Sequence, residues 1–564
     1  MRKLNQHRSS RLAMGWALAV CWAPGVFGQV VPTEPDPIVA GRAAPPGTYG
    51  DVDVLHYDVA IVLPPPGGTA IEGRAILTLR PLRRGLRRVA LDLTGLAVME
   101  ATVDGQVTEA TVDDGRVWVP LPIQAAPDRK VEVVLRYRGT PDDGLILRNN
   151  IHGRPAAFVD NWPNRTRFWL PSVDHPSDKA TATLTVHAPA EWKVVSNGTL
   201  EGEPTPSQAL PGGRVWRWAT EVAVSPYNLV FGAADMVVQT VGLAACGLAP
   251  ASPRPDGCVE VTTWLFEEDV GQADLSFRRA DDMVDFYARL VGPFPFEKLA
   301  HVQSATRFGG MENASAIFYS EEGLASGRDM EGTVAHETAH QWFGDHVTEA
   351  DWPELWLSEG FATYFGHLYF ESADGEEAFR RRMEDSRRDY LASEVTGRPV
   401  IDRGEQDLFA LLNPNNYPKG GWVLHMLRGI LGDEAFFRGI REYYAGFGGS
   451  VATSADFRDV MEDASGMELD WFFRQWLEEP GYPVLGLEHR WDEEAGEAVV
   501  TVVQGQDPDW PAFRLPMEIE VVLDDGTRER RRIEVRRRRD TFRFRLAAPP
   551  AAVRLDPGGW VLKG

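Results

Sequence analysis

Hydrophobic and polar positions alternate through much of the first half of the chain. Tyr57-Asp58-Val59-Ala60-Ile61-Val62, Ala75-Ile76-Leu77-Thr78-Leu79 and Ala182-Thr183-Leu184-Thr185-Val186 show the two-residue period of strands with one buried face. Turn signals such as Asp113-Asp114-Gly115 and Asn197-Gly198 separate them. Residues 29–262 therefore read as an N-terminal antiparallel β domain. The period changes near Trp264. Leu275, Phe277, Met283, Phe286, Tyr287 and Leu290 recur at helical spacing and predict a helix over 274–291. Helical patterns continue, with interruptions, to Leu477, where Pro480-Gly481-Tyr482-Pro483 stops them. Residues 263–480 are thus a second domain. Alternation returns in Met517-Glu518-Ile519-Glu520-Val521-Val522-Leu523, which runs into the turn Asp524-Asp525-Gly526. Residues 481–564 read as a small C-terminal β-sandwich. Two arginine clusters, Arg530 to Arg532 and Arg536 to Arg539, lie on its return path. Solvated strand faces are their plain reading, and an anionic docking patch the alternative.

Length supports several domains, because 564 residues exceed what one core organises. Lys and Arg total 58 against 82 Asp and Glu. A net charge of −24 excludes a nucleic-acid partner, which needs a basic face. The first residues change the picture again. Arg2, Lys3, Arg8 and Arg11 precede an apolar run from Leu12 to Val20, too short to span a bilayer securely, and Val26-Phe27-Gly28 offers small residues before a cut at Gln29; a membrane anchor is the alternative. Residues 1–28 therefore read as a signal peptide, and the protein as exported, periplasmic or secreted, with no stable membrane insertion after leader removal. Leu18-Ala19-Val20-Cys21 resembles a lipobox, although Val20 stands where a small residue is expected. Of three cysteines, Cys246 and Cys258 flank a loop rich in Pro and Gly. A disulfide there suits an oxidising compartment, and two free structural thiols are the alternative.

The chemistry is concentrated in His336-Glu337-Thr338-Ala339-His340. Residues four apart share a helix face, so both imidazoles can meet one ion. Met330, Val334, Ala339 and Phe343 supply the apolar stripe of that helix, and Gly344 a stop. Glu337 lies about 100° around the axis, where a carboxylate reaches the water of a metal site without being a ligand. Glu359 follows after eighteen intervening residues, on a second helix starting after Pro353. Two His and one carboxylate with a position left for water form a catalytic zinc arrangement, whereas closed structural sites take four protein ligands.

His-Glu-x-x-His, eighteen residues, then Glu resembles the gluzincin metallopeptidases. Gly309-Gly310-Met311-Glu312-Asn313 resembles the Gly-x-Met-Glu-Asn motif of the metallo-aminopeptidase family that contains alanyl aminopeptidase and leukotriene hydrolase. Tyr417-Pro418-Lys419-Gly420 is similar to that family's catalytic-tyrosine segment, and Phe472-Phe473-Arg474-Gln475-Trp476 to the end of its catalytic domain. Pro171-x-x-Asp174-x-Pro176, Lys179-Ala180-Thr181 and Ser196-Asn197-Gly198 extend the likeness into the first domain. The resemblance implies a thermolysin-like α+β catalytic domain and one Zn(2+) per chain held by His336, His340 and Glu359. It implies Glu337 as general base and Tyr417 as oxyanion donor. Glu312 would take the α-ammonium of peptides with a free N-terminus, beside a strand of Gly309, Gly310, Met311 and Asn313, and Phe308 would line the first side-chain pocket.

The chain departs from the family in two places. Family members carry a second amine anchor in the first domain, and counting back twelve residues from Asp174 puts Trp162 there. Either nearby Asp160 substitutes, or amine recognition rests on Glu312. The β segment also ends the sequence where longer relatives have a helical domain, so the resemblance implies a more open site. Rival readings are a zinc endopeptidase, an epoxide hydrolase and a catalytically inactive peptide-binding relative.

Overall fold

The computed structural model describes residues 50–564. The expected leader, with Cys21, and the start of the first domain lie outside them.

Nine strands form the first sheet. At its centre Val52–Val62 pairs antiparallel with Ile71–Pro81 and parallel with Ala180–Pro189. A bulge between Val54 and His56 shifts the register by one residue. Val54, Tyr57, Val59 and Ile61 thereby all reach the core. A second, four-stranded sheet includes Phe231–Ala234 and Pro155–Val159.

The next sheet carries part of the site. Its strands are β1 (Val237–Ala244), β2 (Val259–Leu265), β3 (Leu299–Ser304), β4 (Gly310–Met311) and β5 (Ala316–Ser320), in the order β1-β2-β3-β5-β4. This corrects the expected boundary at 262, which cuts through β2. β2 pairs with β1 on one side and runs parallel to β3 on the other, so both early strands belong to the second domain's sheet. Cys246 and Cys258 are disulfide-bonded across the β1–β2 connection.

The helix expected over 274–291 is two, Val270–Phe277 and Ala280–Leu290. The break falls where Arg279 is drawn into ion pairs with Glu331 at 2.5 Å and Asp374 at 2.9 Å, and Leu275 is left 51% exposed. Three helices frame the site: α1 (Glu331–His340), α2 (Trp356–Asp374) and α3 (Gly420–Leu431). α2 buries Trp356, Phe361, Tyr364 and Phe365 and packs against both others.

Beyond Gly481 stand two three-stranded antiparallel sheets, one centred on Glu497–Gln504 and the other on Leu515–Leu523. Val500, Val502, Ile519 and Val521 are buried at alternate positions of these central strands. The arginines of the return path mostly pair with nearby glutamates: Arg530 with Glu518 and Glu520, Arg536 with Glu534, Arg539 with Glu488. Among the described residues no helix is long and apolar enough to cross a membrane.

Candidate active site

α1 presents His336 and His340 one turn apart, with their Nε2 atoms 3.0 Å from each other. Glu359, in the first turn of α2, brings Oε2 to 3.2 Å from His336 Nε2 and 3.3 Å from His340 Nε2. The Tyr287 hydroxyl steadies α1 by donating to the carbonyl of Ala335 at 2.8 Å.

The donor chemistry tests whether a metal fits. Nδ1 of His340 lies 3.0 Å from the carbonyl oxygen of Phe343, which only accepts, so Nδ1 carries the proton and Nε2 presents a lone pair. That lone pair faces a carboxylate oxygen and a second imidazole nitrogen. These three potential ligand atoms lie 3.0–3.3 Å apart and can converge on one cation. Zinc with bonds of about 2.0–2.2 Å sets tetrahedral edges of about 3.3 Å, so the residues fit it.

Glu337 is 6% exposed and lies against the backbone of β4. A Cβ at Gly310 would come within 2.2 Å of Glu337 Oε1, so a glycine at this position makes room for the carboxylate. Glu312 follows β4 directly. Its carboxylate, with those of Glu337 and the His340 imidazole, forms a second cluster whose ligand atoms lie within 4.8 Å of one another. Met311 and Asn313 are buried beside it, and Gly309 is exposed at the strand's start.

Tyr417 sits in a π-helical turn, Asn415–Lys419, just ahead of α3. Its hydroxyl donates to Glu359 Oε1 at 2.7 Å, and its ring stacks on His336 with centroids 5.9 Å apart.

Burial and mutual repulsion set the electrostatics. Burial pushes Glu312 up to about 7, with the Glu359 carboxylate adding to the effect and His340 opposing it. Burial raises Glu337 well above the usual carboxylate range, helped by Glu312 and Glu359. For His340 burial disfavours the charged form, but Glu359, Glu312 and Glu337 outweigh it and raise the imidazole well above its ordinary value. Burial alone would raise Glu359 too, yet His340 and His336 hold it far below. With all three buried carboxylates ionised the cluster would carry an excess of negative charge, which a divalent cation would offset.

Asp160, the candidate second anchor, is 1% exposed: Arg165 lies 3.1 Å away, Arg307 3.3 Å away, and Thr306 Oγ1 donates to it at 3.2 Å. Trp162 packs edge-on against Phe308, Trp352 and Phe409 at 6.1, 5.7 and 5.7 Å, forming an aromatic cluster around the half-buried Phe308.

Sequence reasoning missed the scaffold behind Glu312. Gln341 Nε2 donates to the Glu312 carbonyl at 2.8 Å and to Asp345 at 2.7 Å, while its Oε1 accepts from the Ser315 amide. Asn228, from the first domain, donates to the same Asp345 carboxylate. The one available signal was that Gln341 directly follows the second histidine.

An HExxH helix with a glutamate on the next helix defines a zinc metallopeptidase class of site. The chain belongs to peptidase family M1: residues 277–476 match the Peptidase family M1 domain and residues 54–228 the Peptidase M1 N-terminal domain. Aminopeptidase N of Streptomyces lividans is 28% identical over 486 residues, 82% of this chain and 54% of that protein. Glutamyl aminopeptidase of Sus scrofa is 28% identical over 59% of this chain and 36% of its own length. The chain thus spans about half the length, or less, of these curated relatives. Among solved structures, the M1 zinc metallopeptidase of Deinococcus radiodurans superposes with a TM-score of 0.65 at 28% identity, covering 77% of this chain and 95% of that one. A variant of that enzyme bound to a Tyr-Ser-Ala substrate gives a TM-score of 0.66 at 27% identity, with 77% and 96% coverage.

Proposed function

We propose that this protein is a zinc aminopeptidase that hydrolyses the first bond of peptides with a free N-terminus. One observation carries the reading: the buried Glu312 carboxylate shares a cluster with Glu337 and His340 beside the two-His, one-Glu donor set. A carboxylate fixed there pairs with an α-ammonium and sets the first peptide bond at the reacting position, while internal bonds have no cation to offer it.

The residues divide the work. His336, His340 and Glu359 would hold the zinc. When bound, the metal would supply Lewis acidity and lower the pKa of a water from ~15.7 toward ~7. Glu337, buried beside these ligands, would act as the general base and return the proton to the leaving amine. Tyr417 donates to the developing oxyanion. The exposed backbone of Gly309 and edge strand β4 align an extended peptide. Phe308, backed by Trp162, lines the pocket for the first side chain.

We also read residues 1–28 as a leader and the protein as exported. The Cys246–Cys258 disulfide supports that reading, since such bonds persist in oxidising compartments. The two C-terminal sheets are read as a β-sandwich, supported by their inward-facing apolar rows. Cell fractionation with amino-terminal sequencing of the mature protein tests export; an intact Met1 in the cytoplasmic fraction would overturn it.

The activity is tested with aminoacyl-arylamides against the same compounds acetylated on the amine, for wild type and Glu312→Ala. The expected result is cleavage of the free-amine compounds alone, lost in the variant. Equal cleavage of blocked compounds would overturn the reading in favour of an endopeptidase. Zinc binding without turnover of either would point to a binding role.

A further inference from the structure

We propose that Gly360 and Gly420 form a fulcrum that sets the position of Tyr417 over the metal ligand Glu359. The inference rests on the metallopeptidase reading of the site and assigns positioning roles to two residues that touch neither metal nor substrate.

Gly360 follows Glu359 on α2, and Gly420 opens α3 three residues after Tyr417. The two helices meet there backbone to backbone. A Cβ built on Gly360 would lie 2.8 Å from Gly420 Cα, 2.9 Å from Gly420 C and 3.2 Å from the Asn416 carbonyl oxygen. A Cβ on Gly420 would lie 2.8 Å from Gly360 Cα. No side chain stands between them that could rotate away.

The contact sits between the two groups it would control. On one side Glu359 turns Oε2 to the imidazoles and Oε1 to Tyr417. On the other the π turn is tied by its side chains, Asn415 Nδ2 donating to Val395 O at 3.0 Å and Asn416 Nδ2 to Leu411 O at 2.7 Å. With these ties in place, the helix separation at the glycines decides where the phenol lands.

Neither glycine is needed for its backbone angles. Gly420 has φ −55° and ψ −47°, ordinary helix, and Gly360 is not among the residues with positive φ. Alanine is the better helix former at such positions, so a methyl there acts through the close approach and not through propensity. Ordinary carbon–carbon separations are about 3.5–4.0 Å, so the added methyl moves the turn by roughly 1 Å. Gly421 is the control. A Cβ there meets the Thr363 methyl at 3.3 Å, a side-chain neighbour that can yield.

The test is a double-mutant cycle between Gly420→Ala and Tyr417→Phe, read in two ways. Zinc Kd is measured by chelator competition, and kcat and KM on an aminoacyl-arylamide at saturating zinc. Loss of a group supporting a metal ligand typically weakens binding about 10- to 100-fold. A misplacement of about 1 Å can cost ~100-fold in rate. The expected result is that Gly420→Ala weakens zinc and lowers kcat by nearly the factors seen in Tyr417→Phe, with KM little changed. In the double variant no further loss appears, and Gly421→Ala behaves as wild type. Additive losses, or an unchanged Gly420→Ala, would overturn the fulcrum. So would failure of both Gly420→Ala and Gly360→Ala to fold while Gly421→Ala folds, which would make the contact one of core stability. If wild type binds zinc but turns over no arylamide, the aminopeptidase reading fails, and the zinc arm still decides the fulcrum.

Discussion

Tyr417 donates a 2.7 Å hydrogen bond to Oε1 of Glu359, while Oε2 of the same carboxylate faces both imidazoles. One carboxylate therefore joins the metal ligands to the oxyanion donor. Removing the hydroxyl affects both ends. Tyr417→Phe is expected to lower kcat by about 100- to 1000-fold, the cost of one oxyanion donor. Zinc affinity falls about tenfold, yet the site still saturates. Steady-state kinetics beside metal analysis checks this, and a variant retaining wild-type kcat would remove Tyr417 from the mechanism.

Glu337 is buried next to the ligands without being one of the donor set around His336, His340 and Glu359. Glu337→Gln keeps the shape and removes the base. Turnover is expected to drop by about 100- to 10,000-fold, the usual range for a positioned acid–base group. Zinc stoichiometry should stay at one per chain. Loss of metal together with activity would instead make Glu337 part of the zinc shell.

The separation of these effects shows what a sequence can carry. His336, His340 and Glu359 were legible because an i, i+4 pair on a helix leaves few places for its side chains, and a carboxylate after eighteen intervening residues had the next helix to ride. Other features depend on contacts distant in sequence. Strands β1 and β2 carry no mark of their sheet, and only the pairing of β2 with β3, with β1 on the other side of β2, assigns them to the second domain's sheet. The helix break at Arg279 is set by Glu331 and Asp374, the latter 95 residues away. Asp160 was one of two alternatives for the amine anchor, and its ion pair with Arg307, 147 residues away, had no local signal. The Asn228–Asp345 bond, which ties the first domain to the scaffold behind Glu312, spans 117 residues and has no local pattern.

Glu349 offers a pH-dependent prediction. It is 1% exposed, and neither carboxylate oxygen has a hydrogen-bond partner. Burial pushes it up to about 8, with Glu312 and Glu359 adding repulsion and His340 opposing it; Lys179 and Tyr227 also face it. The folded-state value lies above the unfolded value of about 4.3. The protonated form is therefore favoured by folding, and its stabilising contribution is present below the unfolded value and lost as pH rises through about 8. Glu349→Gln removes the titration. Its melting temperature should approach that of wild type near pH 5 and exceed it increasingly toward pH 8.5, as the wild type loses roughly 4 kcal/mol over that range. A constant difference across that range would show that Glu349 does not titrate with folding.

The Cys246–Cys258 bond closes a segment with a sequence separation of 12 at the end of the β1–β2 hairpin. A loop of that size restricts the unfolded chain enough to stabilise by about 2–3 kcal/mol. The hairpin is already closed by Gly247 N donating to Gly257 O at 3.0 Å, and the Phe294 amide donates to Leu248 O at 2.7 Å. Native geometry therefore does not depend on the sulfurs. A Cys246→Ser, Cys258→Ser double variant is expected to fold, keep its kcat, and unfold at lower urea than wild type. Reductant should lower the wild-type midpoint to that of the variant and leave the variant unmoved. A wild-type midpoint indifferent to reductant would mean that the bond contributes nothing to stability.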